Sequence, residues 1–421
     1  MSNQTDAIGL SAAAEAPARA TRIRPLANRN FRLLWLGESV SLLGDQFYFI
    51  ALPWLVFQMS GSALAFGTVL MVAGIPRAVF MLVGGVMTDR FSPRAVMLVS
   101  NLLRLVITIL LELSVASQTI ELWMLYLMAF CFGVVDAFFH PAYRAIVPLI
   151  VEEDGLQASN SIMHGTSQLV EIIGPGVAGL LLRGVGVVLS LVFDAITFLF
   201  TSIMLLLMHP KRAERKALPR RHGILAEIGD MFAYVRHDRL LMMLIVVVAA
   251  INLLFVGPLV VGSAALSRVR FAEGAAAYGA MLSTFSLGAL IGTVTAGVVH
   301  LKRPGLVSLL LVAAEGVFMV GIGYAPTLLL ACALWLPIGF GAGFGSINFI
   351  TLTQKRVAKD MLGRFMSLIV LTEVGLTPIS NALAGVLADW NVTALFVGAG
   401  TLLSGITLLA AMSDTLRSGE A

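Results

Sequence analysis

Apolar runs of about twenty residues recur from Phe31 to Met412, and no other feature limits the folding of this chain so severely. A helix rising 1.5 Å per residue needs about 20 apolar residues to cross the hydrocarbon of a bilayer. Backbone placed there must satisfy its own N–H and C=O groups, and an α-helix does so within one segment. The spacing predicts spans at about 31–57, 63–87, 94–115, 121–140, 160–182, 187–208, 239–262, 275–299, 305–324, 326–349, 364–388 and 392–412. The expected class is an all-α membrane protein of twelve transmembrane helices. Composition agrees: 58% of the 421 residues are hydrophobic and 12% are charged, against roughly 25% charged in soluble domains. That balance excludes an ordinary soluble protein. Cys131 and Cys332 both sit inside apolar runs, so they imply neither a disulfide framework nor a metal site.

The net charge of +4 needs no nucleic-acid partner, because the cations are distributed by topology. Residues 1–30, with Arg19, Arg22, Arg24 and Arg29, are expected to form a disordered cytoplasmic tail. Basic residues crowd the segment 209–238 and recur at Arg90, Arg94, Arg144, Lys302, Arg303, Lys355, Arg356 and Lys359. The opposite face holds Arg183, Arg268 and Arg270. That asymmetry predicts both termini and the 209–238 loop on the cytoplasmic side of the cell membrane. The loop divides the chain into six-helix halves, 31–208 and 239–412, followed by a tail, 413–421. A faint internal repeat supports the division: Pro53 and Pro258, Pro175 and Pro378, and Glu171 and Glu373 recur at nearly equal offsets. Two pseudo-symmetric halves place a substrate site between them, near the midplane.

Ionisable groups inside apolar spans are costly and usually face a cavity or a partner. Asp45 stands about 21 Å into the first span, and Glu171 and Glu373 lie at mid-depth in the fifth and eleventh. These three are the candidates for proton coupling or the substrate path. Arg104 needs a partner, and Asp45, Asp136 and Asp194 are all available to it. Asp136 is expected to pair with Arg94 or Arg144 in a gate. Asp194 and Glu315 are expected to serve packing or the lipid edge. Asn252 and Asn348 are candidate lining groups, since an amide is costly in lipid. In the fifth span Gly174, Pro175 and Gly179 combine a kink with a small-residue packing face.

The turn after the second span reads G-G-V-M-T-D-R-F-S-P-R, from Gly84 to Arg94. Gly85 admits a neighbouring helix, and Asp89 is suited to accept from a helix N-terminus, with Arg90 and Arg94 beside it. Ser92 and Pro93 read as N-cap and first helical residue of the next span. This turn resembles the one between helices 2 and 3 of the major facilitator superfamily. The family places a glycine and the first of two basic residues where Ser92 and Pro93 stand here, so only Arg94 remains of that pair. Further resemblance, to the branch containing macrolide efflux proteins and the enterobactin exporter, lies in three pieces. They are G-D-Q-F-Y-F-I-A-L-P-W-L-V-F-Q from Gly44, P-A-Y-R-A-I-V-P-L-I-V from Pro141 and L-G-R-F-M-S-L from Leu362. The piece around Gly174–Gly179 is similar to the fifth-span motif of the superfamily's exporters, with Val170 standing where a further glycine is expected.

The resemblance implies a monomeric transporter whose halves rock about a central site. No nucleotide-binding loop, metal-ligand cluster or nucleophile–base spacing is present in the sequence, so no enzyme and no cofactor is expected. Energy then has to come from a gradient of protons or another coupling ion. The leading expectation is efflux of a hydrophobic or amphipathic small molecule. Uptake or exchange of a metabolite, and a non-transporting scaffold or receptor, are the alternatives.

Overall fold

The computed structural model describes residues 25–209, 238–299, 301, 303–357 and 359–412. The tails and most of the 209–238 loop lie outside the described residues. Ten helices among those described are long and apolar enough to cross a membrane. In chain order the α-helices are α1 (Arg29–Ser60), α2 (Ala63–Arg90), α3 (Pro93–Ala116), α4 (Leu122–Ile150), α5 (Glu153–Leu207) and α6 (Arg239–Leu254). They continue with α7 (Ser263–Arg270), α8 (Ala275–Val298), α9 (Pro304–Tyr324), α10 (Leu328–Arg356) and α11 (Lys359–Ala411).

Local chemistry explains where several of them begin and end. The side chain of Asn28 accepts the N–H groups of Asn30 and Phe31 at the start of α1. Ser92 and Pro93 open α3 in the expected positions, although the Ser92 hydroxyl makes no capping bond. The seventh run extends past its expected end at 262. A π-helical turn at Pro258–Gly262 joins α6 to α7, which carries on to Arg270. Arg270 then donates to the Gly323 carbonyl at 2.7 Å and to the Thr393 hydroxyl at 2.8 Å, satisfying the exposed end of α9.

Two elements are twice the length of a single crossing. Gly186, inside α5, has φ 82° and ψ 175°, and Asn391, inside α11, has an extended backbone at φ −165° and ψ 110°. The chain reverses at each. Before Gly186, Thr166 meets Trp35 and Gly174 meets Gln46, so this arm runs parallel to α1. After it, Thr197 meets Gly44 and Thr201 bonds to the Gly37 carbonyl, so the second arm runs antiparallel to α1. The arms of α11 stand in the same relation to the α6–α7 run. Ser380 bonds to Leu253 and Gly257 ahead of the reversal, and Leu395 and Phe396 meet Gly262 beyond it.

Small residues let helices approach until side chains meet backbone. A Cβ on Gly288 or Gly292 of α8 would collide with carbonyl oxygens of α10, and Gly339 and Gly343 return the same contact. Segments 29–207 and 238–411 touch in a similar way. Gly67 lies against the Asn381 carbonyl, Gly74 against Pro378, and Gly279 against the Pro175 carbonyl. These contacts gather toward the end where Ser62 meets Asp389 and Trp54 meets Gly274, away from the basic loops.

Candidate functional site

A polar core lies within the first segment, where α1, α3, α4 and the second arm of α5 meet. Glu38 and Asp45, seven residues apart on α1, share one helical face. Asn101, Arg104 and Thr108 form the matching stripe on α3, all three buried. Arg104 pairs with Asp136 of α4, and its guanidinium also lies 4.0 Å from the centre of the Phe139 ring. Glu38 and Asp45 both lie within electrostatic reach of the same guanidinium. Asp194, from the second arm of α5, is completely buried and close to Asp45. Tyr48, stacked on Phe132, faces Asp45, Asp136 and Asp194. Asp45 and Asp136 keep partial access, while Glu38, Arg104 and Asp194 are sealed behind them.

Among the described residues of this core, one buried guanidinium therefore serves four carboxylates, with the exposed Arg77 and Arg144 within electrostatic reach of His140 beside Asp136. Several of its atoms have no hydrogen-bond partner: one oxygen of Glu38, both of Asp194, Arg104 Nε, the Asn101 amide and the Thr108 hydroxyl. An unsatisfied buried polar group costs about 1–3 kcal/mol. The cluster thus combines one interhelical ion pair, Arg104–Asp136, with polar atoms left free to take up a proton or solvent.

Asp136 meets Arg104 instead of the expected Arg94 or Arg144. Arg94 donates instead to the carbonyls of Leu205 and Leu206, at 2.6 and 2.7 Å, where carbonyls at the end of α5 lack helical partners. Arg144 and Arg90 are exposed. The packing or lipid-edge expectation for Asp194 and Glu315 needs correction on the second count. Both face the protein interior, with Asp194 in the core just described and Glu315 buried inside the second segment. Helical periodicity without a partner map cannot distinguish those faces.

Glu171 is exposed and accepts from Gln168 at 3.3 Å, and Glu373 is exposed as well. Neither joins the Arg104 core. Asn252 and Asn348 each donate to a carbonyl four residues earlier on their own helix, and Asn348 also lines a cavity. Gly174 packs on Gln46 and Gly179 on Ala275, while the Gly176 N–H, beside Pro175, donates to Ser283 of α8 at 2.9 Å. Gly85 and Asp89 belong to α2, but what surrounds them lies outside the described residues. It is Gly84 that packs on the carbonyl of Ala137.

Glu38 escaped the sequence reading, although its seven-residue spacing from Asp45 was the available signal. Asn101 and Thr108, three before and four after Arg104, carried the same signal.

The family model of the Major Facilitator Superfamily matches residues 34–376. Macrolide efflux protein A of Streptococcus pyogenes is 24% identical over 408 residues, covering 92% of this chain and 96% of that protein. The enterobactin exporter EntS of Escherichia coli (strain 536) is 27% identical over 402 residues, covering 92% of each. Among solved structures, the nucleoside transporter NupG aligns with a TM-score of 0.68 at 13% identity, covering 92% of this chain and 99% of that one. A bacterial homologue of the iron transporter ferroportin, in an inward-facing state, aligns with a TM-score of 0.63 at 17% identity, covering 91% and 99%.

Proposed function

Since the chain belongs to the Major Facilitator Superfamily, its role is transport and not catalysis, and we propose that it exports a hydrophobic or amphipathic small molecule in exchange for protons. The observation that carries this reading is the charge imbalance around Arg104. Full ionisation of Glu38, Asp45, Asp136 and Asp194 would leave a large net negative charge in the apolar interior. Desolvation costs several kcal/mol per ion there even after relaxation. Protons are the smallest neutralising species, and Asp45 and Asp136 are the members with access to receive them. Export as the direction follows the two exporters to which the chain is similar.

Twelve crossings in two halves follow from counting the reversals at Gly186 and Asn391 as turns outside the hydrocarbon. Both termini and the 209–238 loop then share the basic, cytoplasmic face of a cell membrane. The contacts of Ser62 with Asp389, Trp54 with Gly274 and Pro175 with Gly279 then close the external side, leaving the site accessible from the cytoplasm. Rocking of 31–208 against 239–412 would exchange that closure for one at the opposite end, where Asp89 stands.

Flux in proteoliposomes tests the proposal, with pH and voltage gradients imposed separately over a cargo panel that includes a macrolide and a catecholate siderophore. At least one cargo is expected to accumulate when ΔpH alone is applied. Transport that ignores ΔpH, or none across the panel, overturns proton-coupled export.

A further inference from the structure

A cavity of about 250 Å³ lies inside the second segment, bounded by α6, α9, α10 and the first arm of α11. Most of its wall is apolar, with Phe255 and Phe349 as its aromatic members. It reaches from Gly305 and Leu352, near the basic end, to Glu315, about 15 Å deeper along α9. Four polar side chains interrupt the wall: Ser308, Glu315, Ser346 and Asn348.

Glu315 is only 3% exposed, and its Oε1 has no hydrogen-bond partner. That oxygen is pressed toward Gly341, where an added Cβ would come within 2.5 Å of it. Ser308 Oγ is buried and unpartnered too. Asn348 spends an amide N–H on the Phe344 carbonyl at 2.9 Å, leaving its side-chain oxygen as an acceptor. Among the described residues, no Lys, Arg or His lines the cavity. The acids of the first segment have Arg104, whereas Glu315 has an apolar chamber and a set of acceptors. A carboxyl at this depth is neutral with its proton or ionised beside a cation, and the space before it can admit one.

We propose that this cavity binds lipophilic amines in their ammonium form, with Glu315 as counter-ion, Ser308 and Asn348 as further acceptors, and Phe255 and Phe349 holding the apolar body. The proposal rests on the reading of this chain as a transporter of amphipathic molecules and narrows the cargo to cations. It separates cargo recognition, at Glu315, from proton handling, at the Arg104 core.

Binding to the purified full-length protein in lipid nanodiscs at pH 7 tests it, by calorimetry with two probes of one shape. The first is 1-naphthylmethylamine, cationic at that pH, and the second is the neutral 1-naphthylmethanol. Wild type is expected to bind the amine at least about tenfold more tightly than the alcohol, since a charge-assisted bond to a desolvated carboxylate favours the cation. Glu315→Gln keeps the shape and removes the charge, and should bring both probes to the alcohol's affinity. Ser308→Ala, which only deletes an unpartnered hydroxyl, should weaken the amine about threefold. Absence of any preference in wild type overturns the proposal, and that comparison requires no variant to fold. A preference that survives Glu315→Gln overturns it equally. Glu315-dependent binding without ΔpH-driven flux of any cargo would remove the transport reading and leave the site standing. Flux without the amine preference would do the reverse.

Discussion

Asp389, two residues before the chain reverses at Asn391, accepts the backbone N–H of Ala63 at 2.5 Å and that of Leu64 at 3.0 Å. It also receives the hydroxyl of Ser62. A carboxylate from one segment thus caps the first turn of α2 in the other, where free N–H groups and the helix dipole favour an anion. Arg268 adds a bond to the Gly61 carbonyl at 2.6 Å. The same pairing logic was expected of Asp89 at the far end of α2, as an acceptor for a helix N-terminus. At the Asp389 end of the antiparallel pair of α2 and α11 the carboxylate is engaged.

Removing that cap is expected to loosen this end. Asp389→Ala should cost the closed arrangement about 1 kcal/mol, the usual value of a helix cap, which is about a fivefold shift in population. Spin labels at the exposed positions Ser117 and Leu329, in a background without Cys131 and Cys332, report the separation. The variant should gain a longer-distance population. An unchanged distance distribution would mean that the cap does not govern closure.

Arg104 is expected to be indispensable to the folded protein. Arg104→Gln leaves Asp136 without its partner, and breaking a buried pair costs about 3–5 kcal/mol. Melting in detergent should fall by many degrees, and Asp136→Asn in the same chain should restore part of the loss. A wild-type melting curve for the single variant would show the pair to be dispensable.

Asp45 is expected to separate coupling from structure. The ion pair of Arg104 goes to Asp136, so Asp45→Asn should fold normally. It should retain cargo counterflow, because the amide mimics the protonated acid in shape, and lose ΔpH-driven accumulation. Full accumulation by the variant would transfer the coupling role to another member of the core, Glu38 first. Loss of folded protein would instead make Asp45 a structural partner of Arg104.

The orientation of the chain has its own check. Ser117→Cys, at the exposed end of α3, should react with an impermeant thiol reagent applied to intact cells. Ala217→Cys, in the basic loop, should remain unlabelled until the membrane is opened. External labelling at 217 would invert the topology.

Length and apolarity alone determined that this chain is a set of membrane helices, because unpaired backbone in hydrocarbon costs too much for the alternatives. The turn chemistry was equally local: Ser92 and Pro93 begin α3 where they were expected, and the breaks at Gly186 and Asn391 fall in the gaps 183–186 and 389–391 between predicted spans. Charge placement on the loops was legible for the same reason, since it depends on position along the chain. Which side chains meet was not legible. Arg104 had three carboxylates within plausible reach, and only the packing of α3 against α4 selected Asp136. Glu315 and Asp194 could have faced lipid or protein, because in a span apolar on every side the helical period does not mark the buried face. The cap on α2 joins residues more than three hundred positions apart, Ala63 and Asp389, and no local pattern specifies such a contact. Local free energies write the helices and their ends; the pairing of rare polar groups between them is set by how the helices pack.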